Sequence, residues 1–187
     1  MREDQHLADR FLGLLRPIER DLEVYCRRLI WNQPDVPDAL QNAVARAFAA
    51  FDRYHDDASF RAWMFKILTN EIFALNRKYA RVAEHEFLMD PGEMEELPVL
   101  QAVSAETDWL AAPKALREAL DQNLVAALKT LTETERAVLL LRAIGEFRYV
   151  EIAESLAIPL GSVMGNLSRA RLKMRSALRR SQPRIAQ

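Results

Sequence analysis

Residues Thr132–Arg180 read TETERAVLLLRAIGEFRYVEIAESLAIPLGSVMGNLSRARLKMRSALRR, and the punctuation of this stretch sets the fold. Thr132-Glu133-Thr134-Glu135 spells a capping box, in which the Thr132 hydroxyl accepts from the Glu135 amide while the Glu135 carboxylate reaches back. Gly145 is expected to end the helix so begun. A short helix, Tyr149–Leu156, and a long basic one, Leu160–Arg180, follow at the spacing of a helix-turn-helix. That motif lays its second helix in the major groove of DNA.

Side-chain order supports the same reading. Ile152 and Leu156 face inward on the first helix, and Ala153 is small where the pair crosses. Val163, Leu167, Ala170, Met174 and Leu178 give the expected buried stripe of the last helix. Its outer side offers Ser162, Gly165, Asn166 and Arg169, then Arg171, Lys173, Arg175, Arg179 and Arg180, and no acidic residue follows Glu154. A helix C-terminus favours one or two cations through its dipole. A row that begins mid-helix is better matched to phosphates, while Asn and Arg in the early turns suit base edges.

Working outward, the whole chain has 187 residues, half of them hydrophobic, with a formal net charge of −1. It can bury a core, and its charge balance argues against an indiscriminate nucleic-acid binder. The single cysteine, Cys26, excludes an internal disulfide and fits a reducing, cytoplasmic setting. His6, His55 and His85 share no ligand spacing, so neither a metal nor another cofactor is expected. No apolar run approaches the roughly 20 residues that span a bilayer, so no membrane insertion is expected.

The N-terminal block is helical too. Phe11, Leu14, Leu15, Ile18, Leu22, Tyr25, Cys26 and Leu29 recur at three- and four-residue steps, with Pro17 dividing or kinking the run. WNQPDVPD (Trp31–Asp38) is a turn, after which a second helix is expected to bury Leu40, Val44, Ala47, Phe48 and Phe51. His55–Ser59 reads as a loop, with Asp57 or Ser59 as N-cap. A third helix from Phe60 to about Tyr79 would bury Phe60, Trp63, Met64, Ile67, Leu68, Ile72 and Leu75. From Val82 to Pro113 acids appear with no lysine or arginine, and prolines recur: an acidic linker, with a short helix around Ala105–Leu110. Beyond it, Leu116, Leu120, Leu124, Leu128 and Leu131 form one helix face. The fold class is all-α: two small helical domains joined by an acidic linker, the second containing the helix-turn-helix. The expected boundaries are 1–82, 83–113 and 114–182, with a tail at 183–187.

At this point three segments resemble a known family. YVEIAESLAIPLGSVMGNLSRARLKM (Tyr149–Met174) is similar to the DNA-binding region of bacterial sigma-70-type factors, specifically the small extracytoplasmic-function (ECF) group. DVPDALQNAVARAFAAFDRY (Asp35–Tyr54) and SFRAWMFKILTNEIFALNRK (Ser59–Lys78) resemble two helices of the same family, in the same order and spacing. The resemblance covers about Leu7–Val82 and Leu116–Arg180.

It implies a non-enzymatic specificity subunit of RNA polymerase. Asp38, Gln41 and Asn42 would dock on the β′ clamp helices of core polymerase, and the second domain would meet the β flap. His55, Asp56, Ser59, Phe60, Arg61 and Trp63 would open and read a −10 promoter element as single strand, with Lys66, Asn70, Arg77 and Lys78 along the same helix. Aromatics stack on unpaired bases at about 1–3 kcal/mol each, although core packing accounts equally for Phe60 and Trp63, and a plain surface role for Asn70. Ser162, Gly165, Asn166, Arg169, Arg171 and Lys173 would read a −35 element as duplex. The linker would enter the polymerase cleft or act as a solvated tether. The family further implies an anti-sigma factor that clamps both domains.

The chain departs from the family pattern in three places. Met164 and Asn166 stand where Lys and Arg are frequent, so the promoter sequence cannot be borrowed from relatives. Ala157 occupies a turn position usually held by glycine, and Pro37 and Asn42 replace common glutamates. A sigma-like mimic that sequesters an anti-sigma factor is the rival reading. An enzyme is disfavoured by the lack of a phosphate loop, a metal spacing or a nucleophile–base set.

Overall fold

Pro17 lacks an amide hydrogen, and the chain answers with a single 3₁₀ turn, Arg16–Ile18, between α1 (Arg2–Leu15) and α2 (Glu19–Leu29). α3 (Val36–Ala49), α4 (Phe60–Phe87), α5 (Lys114–Lys129), α6 (Glu133–Ala143), α7 (Tyr149–Leu156) and α8 (Leu160–Arg180) follow. The computed structural model describes the backbone of residues 2–54, 59–87 and 114–180, and the side chains of 5–54, 59–81 and 122–180. His55, Asp56, Asp57, the linker from 88 to 113, the side chains of Leu116 and Leu120, and the tail at 183–187 lie outside the described residues. Every regular element among the described residues is helical, as the periodicity requires.

α2 ends where Ile30 turns extended (φ −70°, ψ 144°), its amide still donating to the Cys26 carbonyl at 2.9 Å. The buried amide of Asn76, on α4, finishes that terminus. It accepts from the Trp31 amide at 3.0 Å and donates to the Leu29 carbonyl at 3.3 Å. Deeper in, Thr69 donates to the Phe65 carbonyl at 2.7 Å, so the Tyr25 hydroxyl donates to Thr69 Oγ1, also at 2.7 Å. Burial pushes the Tyr25 phenol well above its usual pKa.

Three sequence expectations are corrected here. The buried stripe of α3 is Val36, Ala39, Ala43 and Ala47; Leu40 and Val44 are only half-buried and Phe48 is exposed. Alanines let α3 lie close to α2 and α4, and a pattern search weighted by large side chains misses them. α4 runs to Phe87, past the expected end at Tyr79 and the expected boundary at 82, because the first proline or glycine after it is Pro91. On α8 the buried stripe passes to Ala177 and leaves Leu178 at the surface, as a 3.6-residue period drifts off a 4-3-4-4 spacing.

The second half is built on the capping box, which forms: Glu135 N donates to Thr132 Oγ1 at 3.3 Å and Thr132 N to Glu135 Oε2 at 3.0 Å. Gly145 is needed for space rather than for a positive φ. A Cβ there would sit 2.6 Å from the Leu141 carbonyl oxygen and 2.7 Å from the Phe147 ring. The left-handed residue of that turn is Glu146, at φ 58°. Ala157, closing α7, is also left-handed (φ 52°, ψ 44°), the conformation its turn position demands.

The two halves share one hydrophobic core. α2 packs on α6 and α4 on α7. The rings of Phe65 (α4) and Phe147 (α6–α7 turn) meet edge to face at 5.2 Å.

Candidate nucleic-acid interface

α8 presents two polar faces flanking its buried stripe. On one, Ser162, Asn166, Arg169 and Lys173 fall at steps of four, three and four and form a connected chain. Asn166 Nδ2 donates to the Ser162 carbonyl at 2.8 Å, and Arg169 Nη2 donates to Asn166 Oδ1 at 3.0 Å. Arg169 Nε lies 3.4 Å from Glu135 Oε1, and Lys173 Nζ donates to Glu135 Oε2 at 2.7 Å. Gly165 lies beneath: a Cβ there would come within 3.3 Å of Arg169 Nη1. Arg171 is on the other face, where it lines a shallow cleft with Met164, Ser168, Leu172 and Arg175. The structure therefore brings five of the six expected −35 residues together and sets Arg171 apart.

Glu135 is the residue the sequence undervalued. Its carboxylate is 3% exposed. Burial alone would raise its pKa, but the Lys173 ammonium and the Thr132 donors outweigh that and hold it below the usual carboxylate range. The capping motif located Glu135; its partners on α8, 34 and 38 positions on, carry no local signal.

On the first half, Trp63, Lys66, Asn70 and Arg77 align at helical steps on α4. Lys66, Asn70, Arg77 and Lys78 are exposed and Trp63 is half-buried. Arg81, one turn beyond Arg77, lines the same shallow concavity as Arg77 and Lys78; the four-residue step could have found it. Ser59 caps the helix, its Oγ accepting from the Ala62 amide at 3.5 Å. Phe60 is buried, edge-on to Phe11 at 5.7 Å and Tyr54 at 5.6 Å, so its ring serves the core. Tyr54 and Trp63 lie beside it, 5.1 Å apart, each with part of its ring at the surface. Asp38, Gln41 and Asn42 share one exposed face of α3.

Arg61 is elsewhere engaged. Its Nη2 donates to Asp21 Oδ2 at 2.8 Å and to the Ile144 carbonyl at 2.9 Å, its Nε donates to the Gly145 carbonyl at 3.1 Å, and its guanidinium covers the Phe65 ring at 5.2 Å. A residue expected at the −10 element thus caps the end of α6 in the other half. Asn76 adds a second link, donating to Glu133 Oε1 at 2.9 Å.

Among the described residues no helix is long and apolar enough to cross a membrane, and no His, Cys, Asp and Glu cluster could hold a metal. What the geometry defines is a two-part helical protein whose second part is a helix-turn-helix with a basic final helix. Comparison with known proteins agrees. Residues 14–82 match sigma-70 region 2 and residues 121–174 match sigma-70 region 4, together about two thirds of the chain. The chain belongs to the sigma-70 family, and its curated relatives are ECF RNA polymerase sigma factors. It is 29% identical to SigG of Mycobacterium tuberculosis over 184 residues, 92% of this chain and 50% of SigG, so it spans about half the length of that relative. It is 24% identical to SigW of Bacillus subtilis over 171 residues, 91% of this chain and 90% of SigW. Its fold resembles that of RpoE from Bartonella quintana, solved in complex with the anti-sigma factor NepR, with a TM-score of 0.69 at 22% identity over 90% of this chain and 96% of that one.

Proposed function

We propose that the protein is a dissociable promoter-specificity subunit of bacterial RNA polymerase, working in the cytoplasm. The exposed α3 face of Asp38, Gln41 and Asn42 docks on the β′ clamp helices, and the second half meets the β flap. The α8 face of Ser162, Gly165, Asn166, Arg169 and Lys173 reads a −35 element as duplex, with Arg171 on phosphate. The α4 face of Trp63, Lys66, Asn70, Arg77 and Lys78 holds an unpaired −10 strand. The observation that carries this reading is the α8 chain of base-reading and cationic groups, on the second helix of a helix-turn-helix, in a chain that also carries region 2.

The arrangement described is a closed one, with Arg61 committed to α6. Engaging both promoter elements requires the halves to separate. An anti-sigma factor would hold them shut from a groove of about 830 Å³ between α2, α5 and α6. Val24, Trp31 and Val125 give that groove apolar walls, with Lys129, the Glu23-paired Arg27, and Glu133 beside Arg136 as its charged lining. Burial lowers the Arg136 pKa against the pull of Glu133, and its buried Nε has no hydrogen-bond partner among the described residues.

The test is run-off transcription with core polymerase on genomic promoter fragments. A promoter-dependent transcript that needs this chain is expected. No promoter-dependent transcript, with anti-sigma binding intact, sinks the reading and favours the mimic.

A further inference from the structure

Glu135 is an expensive residue to place where it is. Desolvating a carboxylate costs several kcal/mol unless it is paired, and a glutamine at the third position would complete the capping box nearly as well. The charge is therefore not required by the helix start. What it does contact is the promoter-facing side of α8: Lys173 at 2.7 Å and Arg169 at 3.4 Å.

Following donors and acceptors fixes what each side chain has left to offer. Arg169 Nε forms an ion pair with Glu135 Oε1 at 3.4 Å, and one Nη2 hydrogen goes to Asn166 Oδ1. Nη1, which lies over Gly165, keeps its donors for acceptors such as the O6 and N7 of guanine. Asn166 Oδ1 takes one hydrogen bond from Arg169, and one of its amide hydrogens goes to the Ser162 carbonyl. Those two bonds fix the Asn166 amide between the helix backbone and Arg169, where it acts as a support for the guanidinium.

We infer that Glu135 is a positioning residue for promoter recognition: together with Asn166 it fixes the Arg169 guanidinium over Gly165, from where it reads a guanine in the upstream element. This rests on the proposed promoter-reading role of α8 and adds to it the base and the device that presents the arginine. Gly165 fits the same scheme, since the guanidinium passes over the spot where a side chain would begin.

The test uses the full chain with core polymerase and a promoter-fragment library whose upstream element is randomised, bound fragments being sequenced. Wild type is expected to select a guanine whose enrichment disappears in Arg169→Ala. Glu135→Gln should reduce that preference about tenfold, within the range of one bidentate contact. It should also steepen the salt dependence, by up to about 0.9 in log–log slope for each cation freed to phosphate. Thr132→Ala weakens the same cap while keeping the Thr132 amide and Lys173 on the carboxylate, and it should lower the melting temperature while leaving the guanine preference intact. An unchanged preference in Glu135→Gln, or an equal loss in Thr132→Ala, would mean that Glu135 is only a helix cap and would overturn the inference. Selection by wild type of a base other than guanine at the Arg169-dependent position overturns it as well. Wild-type holoenzyme that selects no upstream sequence at all would instead sink the promoter-reading role itself.

Discussion

Replacing Arg61 by methionine tests whether the closed arrangement is held by the contacts described. The substitution keeps an unbranched stem against Phe65 and removes three donated hydrogen bonds, to Asp21, Ile144 and Gly145. A bond from a charged donor contributes about 1.5–3 kcal/mol. The Asp21 pair is partly solvated, the aspartate being 43% exposed, and contributes about 0–1 kcal/mol. On opening, water re-solvates the guanidinium and both carbonyls, so the net loss lies near the low end, about 2 kcal/mol. That is roughly a thirtyfold shift of the closed-to-open ratio. Dyes on cysteines introduced at the exposed positions Asp52 and Ser176 report it by single-molecule energy transfer in the isolated protein. The native Cys26 is buried, with its thiol pushed up to about 12, and stays out of the labelling. Arg61→Lys retains the charge without the fork and should fall between. An open fraction in Arg61→Met equal to that of wild type would refute the idea that this side chain holds the halves together.

Two further outcomes follow from backbone and charge. Ala157→Gly relieves a left-handed alanine at φ 52° and should stabilise the fold by about 1 kcal/mol, raising the melting temperature by roughly 2–4 °C in calorimetry. Glu135 and Glu151 both titrate below the usual carboxylate range, Glu151 through the backbone and side-chain hydrogen bonds of Arg148. Depressed folded-state values mean stability that is present above the unfolded pKa and lost as pH falls through the folded one, so urea midpoints should drop as the pH falls below the ordinary glutamate range. Glu135→Gln should flatten that slope, and an identical slope in the variant would contradict the assignment.

What could be read in the sequence was whatever is encoded within a turn or two of helix. The Thr132–Glu135 cap, the break at Pro17, the strain at Ala157 and the Val163–Ala170 stripe are all local, and all are present as read. What escaped depends on groups brought together by tertiary packing. Arg61 has a basic, surface-like local context, yet its carbonyl partners lie 83 and 84 positions on. Asn76 looks like one more polar residue of a basic helix end, and its partners are Leu29, Trp31 and Glu133. The alanine stripe of α3 failed for another reason: close helix approach is carried by small side chains, which contribute little to a periodicity of hydrophobicity.

The Phe65–Phe147 contact bears on what opening the closed form would expose. Separating the halves uncovers two aromatic rings at once, and an idle molecule displaying both would adhere to its neighbours. Folding each ring against the other keeps both out of water in the closed form. Any surface that recruits the protein must then re-cover those rings as it parts them. The cost of opening and the surface that opening exposes thus share one aromatic contact.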